Sequence, residues 1–280
     1  MKGEGGRGKG EDESALRATL SGFPLPPSPF RLLLDPPAAG PWNMAVDEAL
    51  LETAAADGQC TLRLYRWQEP TLSLGYFQNY GDRWQHAESS RAAVVRRPSG
   101  GGAILHDREV TYSLAIPSRH LLAVRRLECY EAVHVALVEV LAQWGIQAML
   151  AARSEHPAVR HEPFLCFQRR SPGDVLVGGS KIGGSAQRRA HGAVLQHGSV
   201  LLARSAAAPQ LAGLEDVSGQ AIPPDRLIKA WLIQLADVLS ATWQDVPLSG
   251  AERHRAALLS AEKYASPVWT EHRGRVSSGA

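Results

Sequence analysis

Strand-forming segments in this chain come in clusters set between helical stretches instead of alternating with helices one for one. That distribution calls for an α+β fold, with a mixed, largely antiparallel sheet covered by helices. TLRLYRW and TLSLGYF are rich in strand formers and separated by Gln68, Glu69 and Pro70, which predicts a hairpin or a tight strand pair. RAAVVRR and GAILH bracket a glycine loop in the same way. DVLVGGSKIGGSAQRR and AVLQHGSVLLA predict two or three more strands joined by glycine turns. Asn43 is placed to cap a helix through Ala56, with Asp47 and Glu48 near its positive end and Gly58 as its stop. From Arg125 to Trp144, apolar Leu127, Tyr130, Val133, Leu137, Leu141 and Trp144 recur at steps of three and four, the pattern of a core-facing helix that Gly145 ends. Residues 225–239 predict a further helix.

With 280 residues, 44% apolar and 21% charged, the chain can bury a real core. Residues 1–28 mix glycine, charge and proline, and are expected to form a flexible leader ahead of one catalytic-type domain over 30–270. Within that leader, residues 3–9 spell most of a P-loop, but Gly10 stands where Ser or Thr must hold magnesium, and no strand precedes it. A net charge of +2, with no basic tract interleaved with aromatics, gives no support for a nucleic-acid partner. Apolar runs fall far short of the roughly 20 residues of a membrane-spanning helix, and the start has no signal-like apolar core, so no membrane partner is expected. Three cysteines, Cys60, Cys129 and Cys166, with no CxxC pair, argue for reduced thiols and a cytoplasmic location.

Two glycine-framed segments carry chemical possibilities. In RRPSGGGAILHD, residues 96–107, three successive glycines let a ligand approach the backbone, and their amides can cradle a carbonyl or phosphate oxygen. Alone, such a triplet reads first as a tight hairpin with surface arginines. In GSKIGGSAQRR, residues 179–189, Lys181 lies between glycine pairs that leave it little steric cover, so it can hold an acyl carbonyl. Alone, it reads more readily as a solvated turn lysine, the commoner fate of lysine. Cys60 and Cys129 fall beside a predicted strand and on a predicted helix, where packing is the default. Cys166 sits instead in a polar stretch, about 152–172, broken by Pro157, Pro163 and Pro172 and long enough to suggest a functional loop. His156, His161 and Cys166 share no element face that would make them metal ligands, so no metal site is expected.

Together these segments resemble the biotin and lipoate ligase-transferase superfamily, in which RRxSGGGAxxHD is followed by KIxGSAxRR and HGSxLL. The helix MAVDEALLE and the closing Tyr264-Ala-Ser-Pro-Val-Trp269 extend the resemblance over roughly residues 30–270. It implies the biotin/lipoate ligase catalytic-domain fold with a deep acyl tunnel. Substrate contacts are then expected from Arg97, Ser99, Gly100, Gly101, Gly102 and His106, and from Gly183, Gly184, Ser185, Ala186 and His197. His106 and His197 are expected mainly to shape the pocket, and amides near 183–186 to receive a developing oxyanion.

Within that superfamily the chain looks more like a transferase than a ligase. Ligases usually read HDxGN, whereas His106-Asp107-Arg108-Glu109-Val110-Thr111-Tyr112-Ser113 resembles the HDxELTYS form of certain octanoyltransferases. The short stretch after Trp269 leaves no room for an accessory ligase domain. Cys166-Phe167, fifteen positions before Lys181, resembles the Cys-Phe pair that supplies the nucleophile in those transferases. A cysteine is mostly protonated near neutral pH, but an adjacent ammonium favours its thiolate, and Lys181 is the expected source. The implied catalytic pair is Cys166 and Lys181. Acyl carrier protein is the expected octanoyl donor and a lipoyl-domain or glycine-cleavage H-type protein the acceptor, with no ATP, metal or nicotinamide required. The rivals are an ATP-dependent lipoate ligase, an amidotransferase between lipoyl-bearing proteins, and a catalytically silent acyl-binding protein.

Overall fold

A computed structural model of the chain describes residues 27–152 and 162–274. An eight-stranded sheet forms the centre, in the order β11-β1-β2-β6-β10-β9-β8-β7. Its strands are β1 (Ser28–Leu34), β2 (Cys60–Tyr65), β6 (Glu109–Pro117), β7 (Ala148–Leu150), β8 (Val175–Val177), β9 (Ser180–Ala190), β10 (Ala193–Leu201) and β11 (Ala241–Asp245). The β11-β1 and β1-β2 pairs are parallel and the remaining pairs antiparallel, which is the mixed, largely antiparallel sheet expected. Among the described residues, no helix is long and apolar enough to cross a membrane.

All nine residues of β6 and of β10 are buried, because helices cover both faces of the sheet. Val110, Tyr112, Leu114 and Ile116 of β6 face one way, towards α2 (Arg126–Gln143) and α3 (Pro224–Leu239). Ala115 faces the other way, with α1 (Gly40–Asp57) and α4 (Gly250–Leu259). On α3 the buried residues Leu227, Trp231, Leu235 and Leu239 follow one helical stripe. On α2 the stripe runs through Cys129, Val133, Leu137 and Leu141, as its periodicity predicts, but Leu127 is 61% exposed. Leu127 belongs to the first turn, ahead of the stretch that rests on the sheet.

Three expectations about local structure are corrected. The β2 segment and β3 (Thr71–Leu74) do not pair with each other. β3 instead lies at the centre of a separate three-stranded sheet, parallel to β4 (Ala93–Arg96) and antiparallel to β5 (Ile104–His106). The glycine loop therefore spans two strands that flank β3, not the two arms of one hairpin. Asn43 is also not a cap: α1 starts at Gly40, with Pro41 supplying the preset φ of the first turn. Asn43 is buried inside the helix, where Nδ2 donates to the carbonyls of Ala38 and Arg66. Gly58 does stop α1, in the left-handed conformation expected of it (φ 75°). The expected leader lies outside the described residues except for its last two positions, and Ser28 already opens β1.

Asp47 and Glu48 likewise serve packing, not the dipole of α1. Asp47 accepts from Arg63 Nη1 (2.8 Å), Ser113 Oγ (2.7 Å) and the Tyr65 hydroxyl (3.0 Å). Burial opposes its ionisation, but His197, Arg63 and Ser113 outweigh that and hold the carboxyl below its ordinary range. A carboxyl depressed on folding contributes stability above the unfolded value of about 3.9 and loses it as pH falls through the folded value. Asp47→Asn should therefore cost about 1.5–3 kcal/mol at neutral pH, since the buried Arg63 then keeps Asp35 as its one carboxylate partner among the described residues. Urea unfolding should show the gap to wild type narrowing below pH about 4, and a gap of constant size down to pH about 3 would contradict this.

Candidate active site

The glycine loop, the turn carrying Cys166 and the facing ends of β9 and β10 enclose a cavity of about 680 Å³, counting its open mouth. Its wall includes Arg97, Gly100, Gly101 and His106 from the first motif, and Lys181, Gly184, Ser185 and Ala186 from the second. His197 and Cys166 line it as well. Ser99, Gly102 and Gly183 stand behind that wall. Gly183 is buried in β9 beneath Leu137 and Val175, so it packs the core instead of facing a substrate.

Cys166 opens a single 3-10 turn, Cys166–Gln168, and is half-buried. Its loop is held to the glycine loop by a fragment of parallel ladder in which Ala103 N donates to Phe164 O (3.0 Å) and Cys166 N donates to Ala103 O (2.7 Å). Lys181 is not a solvated turn lysine: it lies within β9 and is 7% exposed. Its ammonium stands 3.8 Å from the Cys166 sulfur and 3.5 Å from the Cys166 carbonyl oxygen. It also pairs at 2.8 Å with Asp174, which is 1% exposed and accepts from Ser171 N. Gly184 leaves room for this arrangement, since a Cβ there would sit 2.6 Å from Lys181 Cε.

Asp174 offers no paired-acid spacing that singles it out in the sequence. The signal was the hairpin it belongs to: Gly178 and Gly179 take positive φ values of 55° and 80°, folding β8 back on β9 and returning the residue beside Lys181. His134, on the buried stripe of α2, went unweighed because nothing in its spacing sets it apart. Its Nδ1 meets the Gly173 carbonyl (2.6 Å), which can only accept, so Nε2 receives the Ser185 hydroxyl (2.6 Å). Burial, helped by the Lys181 charge, pushes His134 down to about 4 and keeps it neutral, although the Gly173 carbonyl opposes the shift. Ser185 also contacts the Tyr112 hydroxyl at 2.6 Å. Its proton is committed away from the cavity, leaving an acceptor oxygen there.

The two motif histidines are fully engaged. His106 stacks on Trp67 (3.9 Å between centroids) and bridges Ser73 Oγ (2.7 Å) and Glu109 Oε1 (2.6 Å). His197 meets Ser99 Oγ at 2.5 Å and faces Asp47 at 3.8 Å, and burial lowers its pKa despite Asp47. The expected oxyanion amides are fewer than four, since β9 is laddered to β10 throughout 183–190 and alternate amides are committed there. The Ser185 backbone, in addition, meets the Tyr130 hydroxyl. His156 and His161 lie outside the described residues.

A mixed sheet whose glycine loop, buried lysine and cavity thiol converge on one pocket defines the acyl-handling catalytic domain of the lipoate ligase-transferase class. The lipoyl protein ligase A/B catalytic domain model matches residues 40–221, and the chain belongs to that family. It is 35% identical over 269 residues to the octanoyltransferase LipM of Kyrpidia tusciae, covering 86% of this chain and 97% of that one. It is 39% identical over 176 residues to the octanoyltransferase LipM of Geobacillus kaustophilus, covering 60% and 62%. Among solved structures it shares the fold of a lipoate-protein ligase A bound with ATP (TM-score 0.70, 21% identity, 87% of this chain and 99% of that one). It also shares that of the bipartite lipoate protein ligase of Thermoplasma acidophilum (TM-score 0.70, 21% identity, 90% and 99%).

Cys60 and Cys129 are buried in the core, where desolvation pushes both thiols up to about 12. A native chain should therefore give a single thiol to a water-soluble reagent such as Ellman's, at Cys166, with the other two reacting only in denaturant. Peptide mapping of the native adduct checks this, and modification at Cys60 or Cys129 would refute it.

Proposed function

We propose that this protein is an octanoyltransferase of protein lipoylation that carries its acyl group as a thioester on Cys166. The observation that carries the reading is the cavity thiol, with the Lys181 ammonium 3.8 Å from its sulfur. Relatives at 35% and 39% identity named octanoyltransferase LipM support the acyl group and the class of reaction. Chain elements of the ligase fold are present, but a nucleophilic thiol removes the need to activate a free acid, since the incoming acyl group is already a thioester.

Two exchanges complete the cycle. The Cys166 thiolate attacks the carbonyl of an octanoyl thioester on acyl carrier protein, forming a new sulfur-carbon bond and expelling the carrier thiolate, which takes up a proton. The neutral ε-amine of a lipoyl-domain or H-type protein lysine then attacks the Cys166 thioester. An amide forms, the Cys166 thiolate leaves, and the proton lost by the amine restores the thiol. Negative charge gathers on the carbonyl oxygen in both steps, and the buried Arg97 charge in the cavity wall lowers its energy.

The test is intact mass after incubation with octanoyl acyl carrier protein and no ATP. Wild-type protein should gain one hydroxylamine-labile octanoyl group, and Cys166→Ala none. An unmodified wild-type protein that octanoylates an acceptor only when ATP is added would overturn the reading and return the chain to the ligases.

A further inference from the structure

Lys181 stands 3.8 Å from the sulfur, but its charge is already matched. Its ammonium and the Asp174 carboxylate lie 2.8 Å apart, and both side chains are almost completely buried (4% and 1% exposed). Burial pushes Asp174 upward and the Lys181 charge resists that push. A close pair of opposite charges projects a field that falls off faster than that of one charge. Asp174 therefore offsets part of what Lys181 contributes at the sulfur.

Among the described residues, Arg97 is the cation in this cavity wall without a carboxylate partner. It is 3% exposed, and its guanidinium is bound only to oxygens of neutral groups. Nη1 donates to Ser73 O (2.8 Å), while Nη2 donates to Gly100 O (2.8 Å) and Gly102 O (2.6 Å). Its Nε is buried with no hydrogen-bond partner. The loop that grips it continues directly into Ala103, whose carbonyl receives Cys166 N, so guanidinium and thiol are fixed on one piece of backbone. Burial drags Arg97 down to about 10, with the Cys166 charge acting the other way, and it stays protonated at neutral pH.

We propose that the positive charge balancing the Cys166 thiolate is Arg97, and that Lys181 and Asp174 act beside it as a neutral pair that holds the cysteine loop through the Cys166 carbonyl. The proposal rests on the reading of Cys166 as the nucleophile, and it assigns the work of the glycine motif: the loop presents a bare guanidinium by wrapping it in carbonyls that carry no net charge.

Charge, not shape, is then what the variants report. The readout is the rate of Cys166 alkylation by iodoacetamide at one neutral pH, which needs neither acyl donor nor acceptor. Arg97→Met should slow it about tenfold or more, and Arg97→Lys should slow it less. Lys181→Met should also slow it, by stranding the Asp174 carboxylate, whereas Asp174→Asn should speed it beyond wild type. The deciding protein is the double variant Lys181→Met with Asp174→Asn, which removes both charges at once. It should react within about threefold of wild type. A double variant as slow as Lys181→Met alone would overturn the proposal and make Lys181 the counter-charge, and so would an Arg97→Met protein, folded by circular dichroism, that alkylates at the wild-type rate. The double variant decides the matter even if Arg97→Met does not fold. Failure of the underlying reading is separate, appearing as absence of an octanoyl adduct whatever the alkylation rates.

Discussion

Asp47 is a carboxylate buried in the middle of a helix, and much of the molecule is arranged to keep it charged. It joins α1 to β2 through Arg63 and Tyr65 and to β6 through Ser113, and it faces His197 on β10. Arg63, itself fully buried, passes the connection on to Asp35 at the end of β1 (2.6 Å) and to the carbonyl and side chain of Asn43. Removing one member of such a network leaves charge in a medium that solvates it poorly, so the elements are tied in one geometry. His197 carries that geometry to Ser99 in the glycine loop, so packing beneath the helix determines where a cavity wall stands.

The opposite wall is positioned by fewer interactions. Two backbone hydrogen bonds at Ala103 hold the Cys166 turn, and the Lys181-Asp174 pair meets it from β9 and the start of β8. Residues 269 and 270 anchor the start of the glycine loop from outside: Trp269 Nε1 donates to Arg96 O (2.9 Å) and Arg96 Nε to Thr270 O (2.8 Å). Residues far apart in sequence thereby place one half-exposed thiol at the edge of a cavity whose other polar groups are mostly satisfied by one another.

The parts of this arrangement legible in the sequence were those set by local pattern. The periodicity of α2 and α3, the Gly58 stop, the strands around Lys181 and the packing of Cys60 and Cys129 all follow from spacing and composition, whereas the pairing of Cys166 with Lys181 came from the family resemblance. The misread elements depended on distant partners. TLSLGYF looks like the second arm of a hairpin until β4 and β5 take its two edges. Asn43 has the chemistry of a cap, but the Ala38 and Arg66 carbonyls claim its amide inside the helix. Gly183 shares a motif with Gly184, yet the alternation of β9 turns it to the core. Asp174 and His134 matter through the neighbours that topology brings them, and pairwise spacing does not encode those.

Cys166 as the carrier of the acyl group is the central claim, and its most direct test is a single-turnover chase. Octanoyl-labelled enzyme is isolated free of donor and mixed with a lipoyl-domain acceptor in the absence of ATP. The account predicts that label leaves Cys166 at the rate at which octanoyl-lysine appears on the acceptor. Label that stays on the cysteine while the acceptor remains unmodified would contradict it.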